Sequence, residues 1–147
     1  MKGTVRVKKL HENAKLPTYG SEFAAGADLY ALLEDKVEIK PGEMFLVKTG
    51  ISMEVPVGYA GLIYARSGLA TKKGLAPANK VGVVDADYRG EIMIPLFNHS
   101  DQPQIIEPGE RVAQFVITPF FAADYVECDS LEDTKRGENG FGSTGKH

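Results

Sequence analysis

Short alternating and β-branched runs, separated by turns, dominate this chain. A period of two along a run is typical of strands with one buried face. Pro-Gly pairs at 41–42 and 108–109 occupy the two central positions that a type II turn requires, and Val55-Pro-Val-Gly58 closes another connection. The pattern predicts an all-β, jelly-roll-like barrel or sandwich. The predicted strands cover residues 5–10, 36–40, 44–51, 59–64, 91–97, 111–118 and 123–128.

One short helix is predicted over 67–73, with Ser67 as its N-cap and Gly74 as its C-terminal stop. After Cys128 the sequence is polar and without period. Such a segment is mobile unless a ligand or partner holds it. We therefore predict a β domain over residues 1–128 and a mobile C-terminal arm over 129–147.

Length and charge exclude several classes of protein. The 147 residues suffice for one domain, and a formal net charge of −3 argues against a general nucleic-acid binder. No run approaches the ~18 apolar residues of a membrane span, and the start has no secretory signal pattern. The single cysteine and the three widely spaced histidines form no local metal motif. We expect a cytoplasmic protein that binds neither nucleic acid nor membrane.

The C-terminal residues 140–146 read G-F-G-S-T-G-K, one residue short of a P-loop. A P-loop needs a following helix, and the printed chain has none. Glycine nevertheless admits close backbone approach, Arg136 and Lys146 are cationic, and Ser143 and Thr144 can donate hydrogen bonds. Both a disordered end and a phosphate-wrapping segment fit this composition.

Asp85 lies between apolar runs, in V-V-D-A-D-Y-R-G at 83–90, which we interpret as the tip of a β-hairpin. Asp and Gly are ordinary turn residues, so a purely structural role is one possibility. The alternative is a carboxylate held against apolar surface. Desolvation there would make it a stronger base for taking a proton from water.

Three further segments carry polar groups at strand ends or within strands. Arg66-Ser67-Gly68 follows a predicted strand and could present a guanidinium and helix N–H groups to an anion, or simply begin a helix. Ser67 lacks the surroundings of a serine nucleophile. Gln114 interrupts an apolar strand, where it must be hydrogen-bonded. Asp28, in A-G-A-D-L, opens a strand although aspartate is a poor strand former.

The order of these segments is specific, and the chain resembles the trimeric dUTPase family over nearly its whole length. The resemblance implies a β-clip subunit, a homotrimer with active sites between subunits, and Mg²⁺-dependent hydrolysis of dUTP to dUMP and pyrophosphate. That activity would limit uracil in DNA and supply dUMP for dTMP synthesis. The five motifs are A-G-A-D-L at 25–29, R-S-G-L-A at 66–70, N-K-V-G-V-V-D-A-D-Y-R-G at 79–90, P-G-E-R-V-A-Q at 108–114 and R-G-E-N-G-F-G-S-T-G at 136–145.

The resemblance assigns Asp85 the role of general base, which activates a water to attack the α-phosphorus. A hairpin from Asn79 through Tyr88 would form the nucleoside pocket. In it the Asn79 amide and the backbone of Val83 and Val84 would pair with uracil and exclude the thymine methyl. The Tyr88 ring would exclude a 2′-hydroxyl, and Met93 would line the pocket.

The resemblance also implies a phosphate site and a lid. Arg66, Ser67, Gly68 and Gln114 would hold the phosphates, which would themselves carry Mg²⁺. Asp28 would be an outer-shell metal partner through water. The arm would close over a site, with Phe141 stacked on the base. Four further residues of the arm would reach the γ-phosphate: Arg136, Gly142, Ser143 and Thr144.

Two departures from the family pattern are visible. Asn139 stands where glycine is usual, and asparagine tolerates a left-handed backbone; Ala65 replaces a common proline. Two alternative functions also fit parts of the pattern. One is the related dCTP deaminase, which the Phe-Gly-Ser-Thr-Gly tail disfavours. The other is a catalytically idle nucleotide-binding trimer, which the presence of Asp85 disfavours.

Overall fold

A computed structural model describes residues 3–142 of the chain. Within that range it contains one helix, α1 (Ser67–Lys73), and twelve short strands. The strands are β1 (Arg6–Lys9), β2 (Thr18–Tyr19), β3 (Ala27–Tyr30), β4 (Val37–Ile39), β5 (Met44–Lys48), β6 (Ile51–Glu54), β7 (Tyr59–Tyr64), β8 (Leu75–Pro77), β9 (Gly82–Val84), β10 (Met93–Asn98), β11 (Gln104–Ile106) and β12 (Arg111–Pro119).

The strands form four antiparallel sheets, which confirms the predicted all-β class. The largest sheet has the order β2-β3-β12-β7-β9, and a second has the order β5-β10-β8. Two small sheets pair β1 with β6 and β4 with β11. Strand β12 therefore lies between β3 and β7, at the centre of the largest sheet.

Alternation along the strands places one face of each sheet in a common core. In β10, Ile94, Leu96 and Asn98 are fully buried, while the residues between them are half-buried. The buried amide of Asn98 donates to the Ile39 and Gln102 carbonyls, both at 2.8 Å. Its oxygen accepts from the Ser100 N–H at 2.9 Å, so this polar group is satisfied within the core.

The turn predictions are confirmed at both Pro-Gly pairs. Gly42 and Gly109 each have a φ of 75°, the left-handed value that a type II turn needs at its second central position. The turns close through hydrogen bonds from Glu43 N–H to the Lys40 carbonyl and from Glu110 N–H to the Glu107 carbonyl. Local chemistry is sufficient to specify these two connections.

The predicted strand over 44–51 is wrong in extent, because the chain turns at Thr49-Gly50. Gly50 has a φ of 69°, and its N–H donates to the Glu91 carboxylate at 2.9 Å. The Thr49 hydroxyl donates to the Ile92 carbonyl at 2.5 Å. These contacts come from a distant segment. They divide the apolar run into β5 and β6, which belong to different sheets.

The predicted strand over 123–128 is also wrong. The backbone is irregular there, and Tyr125 and Val126 are 98% and 83% exposed. Alternation alone does not make a strand when the described chain offers no neighbouring strand to pair with it.

The helix is confirmed over the predicted residues, and Gly74 ends it with a φ of 65°. Its N-cap is Arg66, without a side-chain capping bond, so the prediction of Ser67 as N-cap is wrong by one residue. At seven residues, this one helix of the described range is much too short to cross a bilayer.

The interpretation of residues 83–90 as a hairpin tip, and of 79–88 as a hairpin, is wrong. Strand β9 pairs with β7 in the largest sheet, whereas β8 and β10 pair with each other in the second. Residues 85–92 therefore lead from one sheet to the other.

Candidate functional site

Strand pairing gathers one carboxylate and two guanidinium groups into a cluster that we call the arginine clamp: Asp28, Arg66 and Arg111. Asp28 lies on β3 and is 8% exposed. Its two oxygens accept from Arg66 Nε at 2.7 Å and from Arg111 Nη1 at 3.2 Å. The carboxylate thus neutralises part of the charge of both arginines and fixes their orientation.

Gln114 lies beside the clamp, opposite Asp28 in the β3–β12 register. Its amide donates to the Ala65 carbonyl at 2.8 Å, immediately before Arg66, which confirms that this glutamine is hydrogen-bonded. A Cβ on Gly26 would lie 3.1 Å from Gln114 Cδ and closer still to its Oε1. Gly26 therefore has to be glycine for Gln114 to keep this position.

Ser67 and Gly68 are exposed in the first turn of α1, directly after the clamp residue Arg66. Here the first N–H groups of a helix have no intrahelical partner. The structure thus brings together Asp28, Arg66, Ser67, Gly68 and Gln114, which the sequence drew from three separate motifs.

A second group of predicted residues surrounds the loop 85–89, which we call the Tyr88 turn. Tyr88 N–H donates to the Asp85 carbonyl at 3.2 Å, and Arg89 Nη1 donates to the Ala86 and Tyr88 carbonyls at 2.7 and 3.0 Å. Asp85 is exposed in the described chain. The predicted desolvation of Asp85 is therefore not supplied by the described residues of its own chain.

The other residues predicted for the nucleoside pocket differ in exposure. Val83 is 63% exposed, and Val84 points into the core. Asn79 is exposed and Met93 is half-buried. The Tyr88 hydroxyl donates to the Glu91 carbonyl at 2.9 Å, which ties the aromatic ring back to its own loop.

The arginine clamp and Asp85 lie at opposite ends of β7. Val84 pairs with Gly61, so Asp85 lies level with Ala60, whereas Arg66 follows the other end of the strand. Six residues of extended chain separate Ala60 from Arg66, which corresponds to about 20 Å. Within one chain Asp85 and Arg66 are therefore far apart.

The described part of the C-terminal arm has its own local structure. Arg136 Nε donates to the Asn139 carbonyl at 2.9 Å, and the Phe141 ring is fully exposed. The left-handed backbone occurs at Gly137, Phe141 and Gly142, not at Asn139. A glycine is therefore not required at Asn139 in this conformation. The predicted residues Ser143 and Thr144, and also Lys146, lie outside the described residues.

The described residues offer little for direct coordination of a metal. Within 3–142, no group of three or more His, Cys, Asp or Glu side chains is placed to hold a metal ion. Both oxygens of Asp28 already accept hydrogen bonds from arginine. An Asp28 contact to a metal through water remains compatible with this arrangement, because a carboxylate oxygen has a second lone pair.

Sequence reasoning missed Arg111 and Gly26. Arg111 stands at the start of β12, where a register shift relative to β3 lets it reach Asp28. In P-G-E-R-V-A-Q this arginine directly follows a turn, and that position could have identified it as a candidate site residue. Gly26 precedes Asp28 in A-G-A-D-L, but its contact with Gln114 follows only from the strand pairing.

The sequence and the fold of this chain both match those of known proteins. The dUTPase family model matches residues 12–145. The deoxyuridine 5′-triphosphate nucleotidohydrolase of Syntrophotalea carbinolica is 47% identical over 142 residues, which cover 97% of each chain. A mutant dUTPase of Staphylococcus bacteriophage 80alpha, solved with dUpNHpp, superposes with a TM-score of 0.88 at 30% identity, over 98% of this chain and 99% of that one.

A third relative concerns metal binding. It is a mutant dUTPase from phage phi11 of S. aureus, whose structure describes the coordination of a structural Mg(II) ion. It is 27% identical, with a TM-score of 0.77, and the match covers 89% of this chain and all of that one. Fold, motif positions and sequence identity lead to one conclusion: the chain belongs to the dUTPase family. The described residues form a mostly β structure with one short helix, which is the fold of that family, as the resemblance implied.

Proposed function

We propose that this dUTPase hydrolyses dUTP to dUMP and pyrophosphate, with Asp85 as the general base that activates water for attack on the α-phosphorus. The relatives named above carry this activity in their names, and one binds a dUTP analogue. Asp85 is exposed at the start of the Tyr88 turn, where its carboxylate is free to meet a substrate and a water molecule. Burial against a neighbouring subunit would supply the desolvation that its own chain lacks.

The arginine clamp is the proposed phosphate-binding end of the site. Arg66 is held by Asp28 at 2.7 Å, so its orientation is set before a ligand arrives. Ser67, Gly68 and Gln114 adjoin it and offer hydroxyl, backbone and amide donors. Phosphoryl transfer depends mainly on positioning and charge neutralisation, which this donor set fits.

Mg²⁺ would bind at the same end of the site, as a complex with the triphosphate. The protein residues there are mostly cationic or neutral donors, so phosphate oxygens would be its inner ligands and Asp28 a partner through water. When bound, the ion neutralises charge on the phosphates. The side chains would then hold the phosphates in line with the attacking water.

The nucleoside pocket is proposed at β9 and the Tyr88 turn. Strand β9 is the edge of its sheet, so some of its backbone N–H and C=O groups point away from β7 and are free to pair with uracil. Val83, Val84 and Asn79 would read the base, and Met93 would line the pocket. Pairing to a rigid backbone leaves little space for a thymine methyl.

The separation of the arginine clamp from Asp85 is the main support for the proposed homotrimer. A base and a phosphate clamp must meet the same triphosphate within hydrogen-bond reach, yet about 20 Å of extended chain, from Ala60 to Arg66, lies between them in one chain. A homotrimer with each site between subunits resolves this, because the Asp85 of one chain can face the Arg66 of another. The segment after β12, in which Phe121 and Tyr125 are more than 90% exposed, supports an extensive subunit interface.

The arm over 129–147 is proposed to be a lid that orders over bound nucleotide. Phe141 is fully exposed and so available to stack on the base. Arg136, Gly142, Ser143 and Thr144 would reach the γ-phosphate. A chain cut before residue 136 should remain a folded trimer and lose most of its turnover. Unchanged turnover in that truncated chain would contradict the lid.

Substitution of Asp85 by Asn tests the base. We expect Asp85→Asn to bind dUTP with near wild-type affinity and to lose about 10²- to 10⁴-fold in pyrophosphate release, the usual contribution of a general base. Asp87→Asn is the matched control, since it removes the same charge from the same exposed turn. Near wild-type turnover in Asp85→Asn would refute the assignment. Parallel assays with dTTP, dCTP and UTP define selectivity, and release of ammonia from dCTP would overturn the reaction type.

Subunit mixing tests the assembly. Asp85→Asn and Arg66→Ala chains, each inactive alone, are unfolded and refolded together. If sites lie between subunits, an equal mixture regains activity in about a quarter of its sites, because some sites receive both intact residues from different chains. If each site belonged to one chain, the mixture would stay inactive.

A further inference from the structure

We infer that Gly90 is a positioning residue that sets the discrimination between deoxyribose and ribose, because its missing side chain leaves the space that the Tyr88 ring occupies. The inference rests on the proposed function, in which Tyr88 packs against the sugar. It adds a second residue to that discrimination, one that touches no substrate itself.

The geometry around Gly90 is restrictive. A Cβ built on Gly90 would lie 2.5 Å from Tyr88 Cζ and 2.9 Å from Cε2, and closer still to the hydroxyl oxygen. Carbon atoms in contact prefer about 3.5 to 4.0 Å. A methyl group at this position and the observed ring therefore cannot coexist.

Backbone conformation is not the reason for glycine here. The φ of Gly90 lies outside the left-handed region, unlike that of Gly42 or Gly109. A left-handed φ therefore does not account for glycine at this position. The contact with Tyr88 is thus the specific consequence of adding a side chain.

The Tyr88 ring is tied at its hydroxyl end, and a backbone hydrogen bond closes the turn that carries it. Its hydroxyl donates to the Glu91 carbonyl at 2.9 Å, across Gly90, and its backbone N–H donates to the Asp85 carbonyl at 3.2 Å. To restore normal contact with a methyl group the ring must move by roughly 1 Å. That movement breaks the hydroxyl bond and shifts the exposed ring face.

The Tyr88 ring must be placed accurately if it is to exclude the 2′-hydroxyl of ribose. Tyr88 is 41% exposed, and the exposed part of its ring is the surface on which the sugar would pack. A displacement of about 1 Å is comparable with the space that one oxygen atom requires. Gly90→Ala should therefore admit ribose without removing the base, Asp85, from its turn.

The test compares kcat/KM for dUTP and UTP in four proteins: wild type, Gly90→Ala, Tyr88→Ala and the double variant. We expect Gly90→Ala to lower the preference for dUTP over UTP at least about tenfold, mainly through better use of UTP. In the Tyr88→Ala background the same substitution should change the preference little, because the ring that it displaces is gone. Gly20→Ala is the control, since a Cβ there meets no atom within 4 Å.

The outcomes separate the inference from the proposed function. If Tyr88→Ala keeps full selectivity, Tyr88 does not face the sugar and its proposed role is wrong. If Tyr88→Ala loses selectivity but Gly90→Ala keeps it, the role of Gly90 is wrong. Should Gly90→Ala fail to fold, a folded double variant supports the contact with Tyr88, whereas an unfolded one overturns it.

Discussion

Asp28 orients two arginines at once, so its replacement should affect stability and catalysis together. Asp28→Asn keeps the shape of the side chain but removes its charge and turns an NH₂ group toward a guanidinium. One of the two acceptor contacts, to Arg66 at 2.7 Å or to Arg111 at 3.2 Å, is then lost. The remaining contact no longer joins opposite charges.

The expected magnitude follows from the exposure of the partners. The Asp28 and Arg66 side chains are 12% and 25% exposed, so this pair should contribute about 1.5 to 3 kcal/mol, as charge-assisted hydrogen bonds do. Arg111 is 50% exposed, and its pair should add at most about 1 kcal/mol. A total of about 1.5 to 4 kcal/mol corresponds to a Tm lower by roughly 3 to 16 °C for a chain of this size.

Catalysis should suffer as well, because Arg66 loses the partner that orients it. A misplacement of about 1 Å in a positioning group costs about 10²-fold, and we expect kcat/KM for dUTP to fall by that order. The measurements are thermal unfolding at fixed subunit concentration and pyrophosphate release at low dUTP. Asp35→Asn, which removes an exposed charge on the surface, is the control. If both variants gave equal Tm and kcat/KM, the role of Asp28 would be refuted.

Three other substitutions test packing that the structure makes explicit. Gly61→Ala should lower stability by about 1 to 3 kcal/mol, because its Cβ would overlap the Phe115 ring; Phe115→Leu in the same chain should recover part of the loss in urea unfolding. Asn98→Ala should cost about 1 to 3 kcal/mol, since the carbonyl of the buried residue Ile39 loses this donor, and an unchanged urea midpoint would contradict this. Gly26→Ala should displace Gln114 and lower kcat/KM about tenfold with little change in Tm. If Tm fell clearly along with kcat/KM, Gly26 would have a structural role only.

Local chemistry made much of the fold predictable. The Pro-Gly turns, the strand over 59–64 and the helix over 67–73 each depend on residues close in sequence, and the structure has all of them. The errors arose where distant contacts decide. The break at Thr49-Gly50 is fixed by Glu91 and Ile92, some forty residues away. The alternation after residue 122 found no partner strand.

The site divides in the same way. The order of the motifs was enough to propose Asp28, Arg66 and Gln114 as site residues. Their mutual contacts follow from strand register, which the sequence did not reveal. Arg111 was missed because a register shift at the start of β12 brings it to Asp28. The roles of Asp85 and the arm depend on a substrate and on neighbouring subunits, so they stay predictions.

The central place of β12 also bears on how the protein is made. This strand is the last in the described chain, yet it joins β3 to β7. A nascent chain therefore carries two strands with open edges until residues 111–119 have been synthesised, and open edges are templates for aggregation. Asp28 and Gln114 face each other across the same pairing. A chain that ended before β12 would be both inactive and prone to aggregate. Residues up to 119 must therefore be synthesised before any activity is possible.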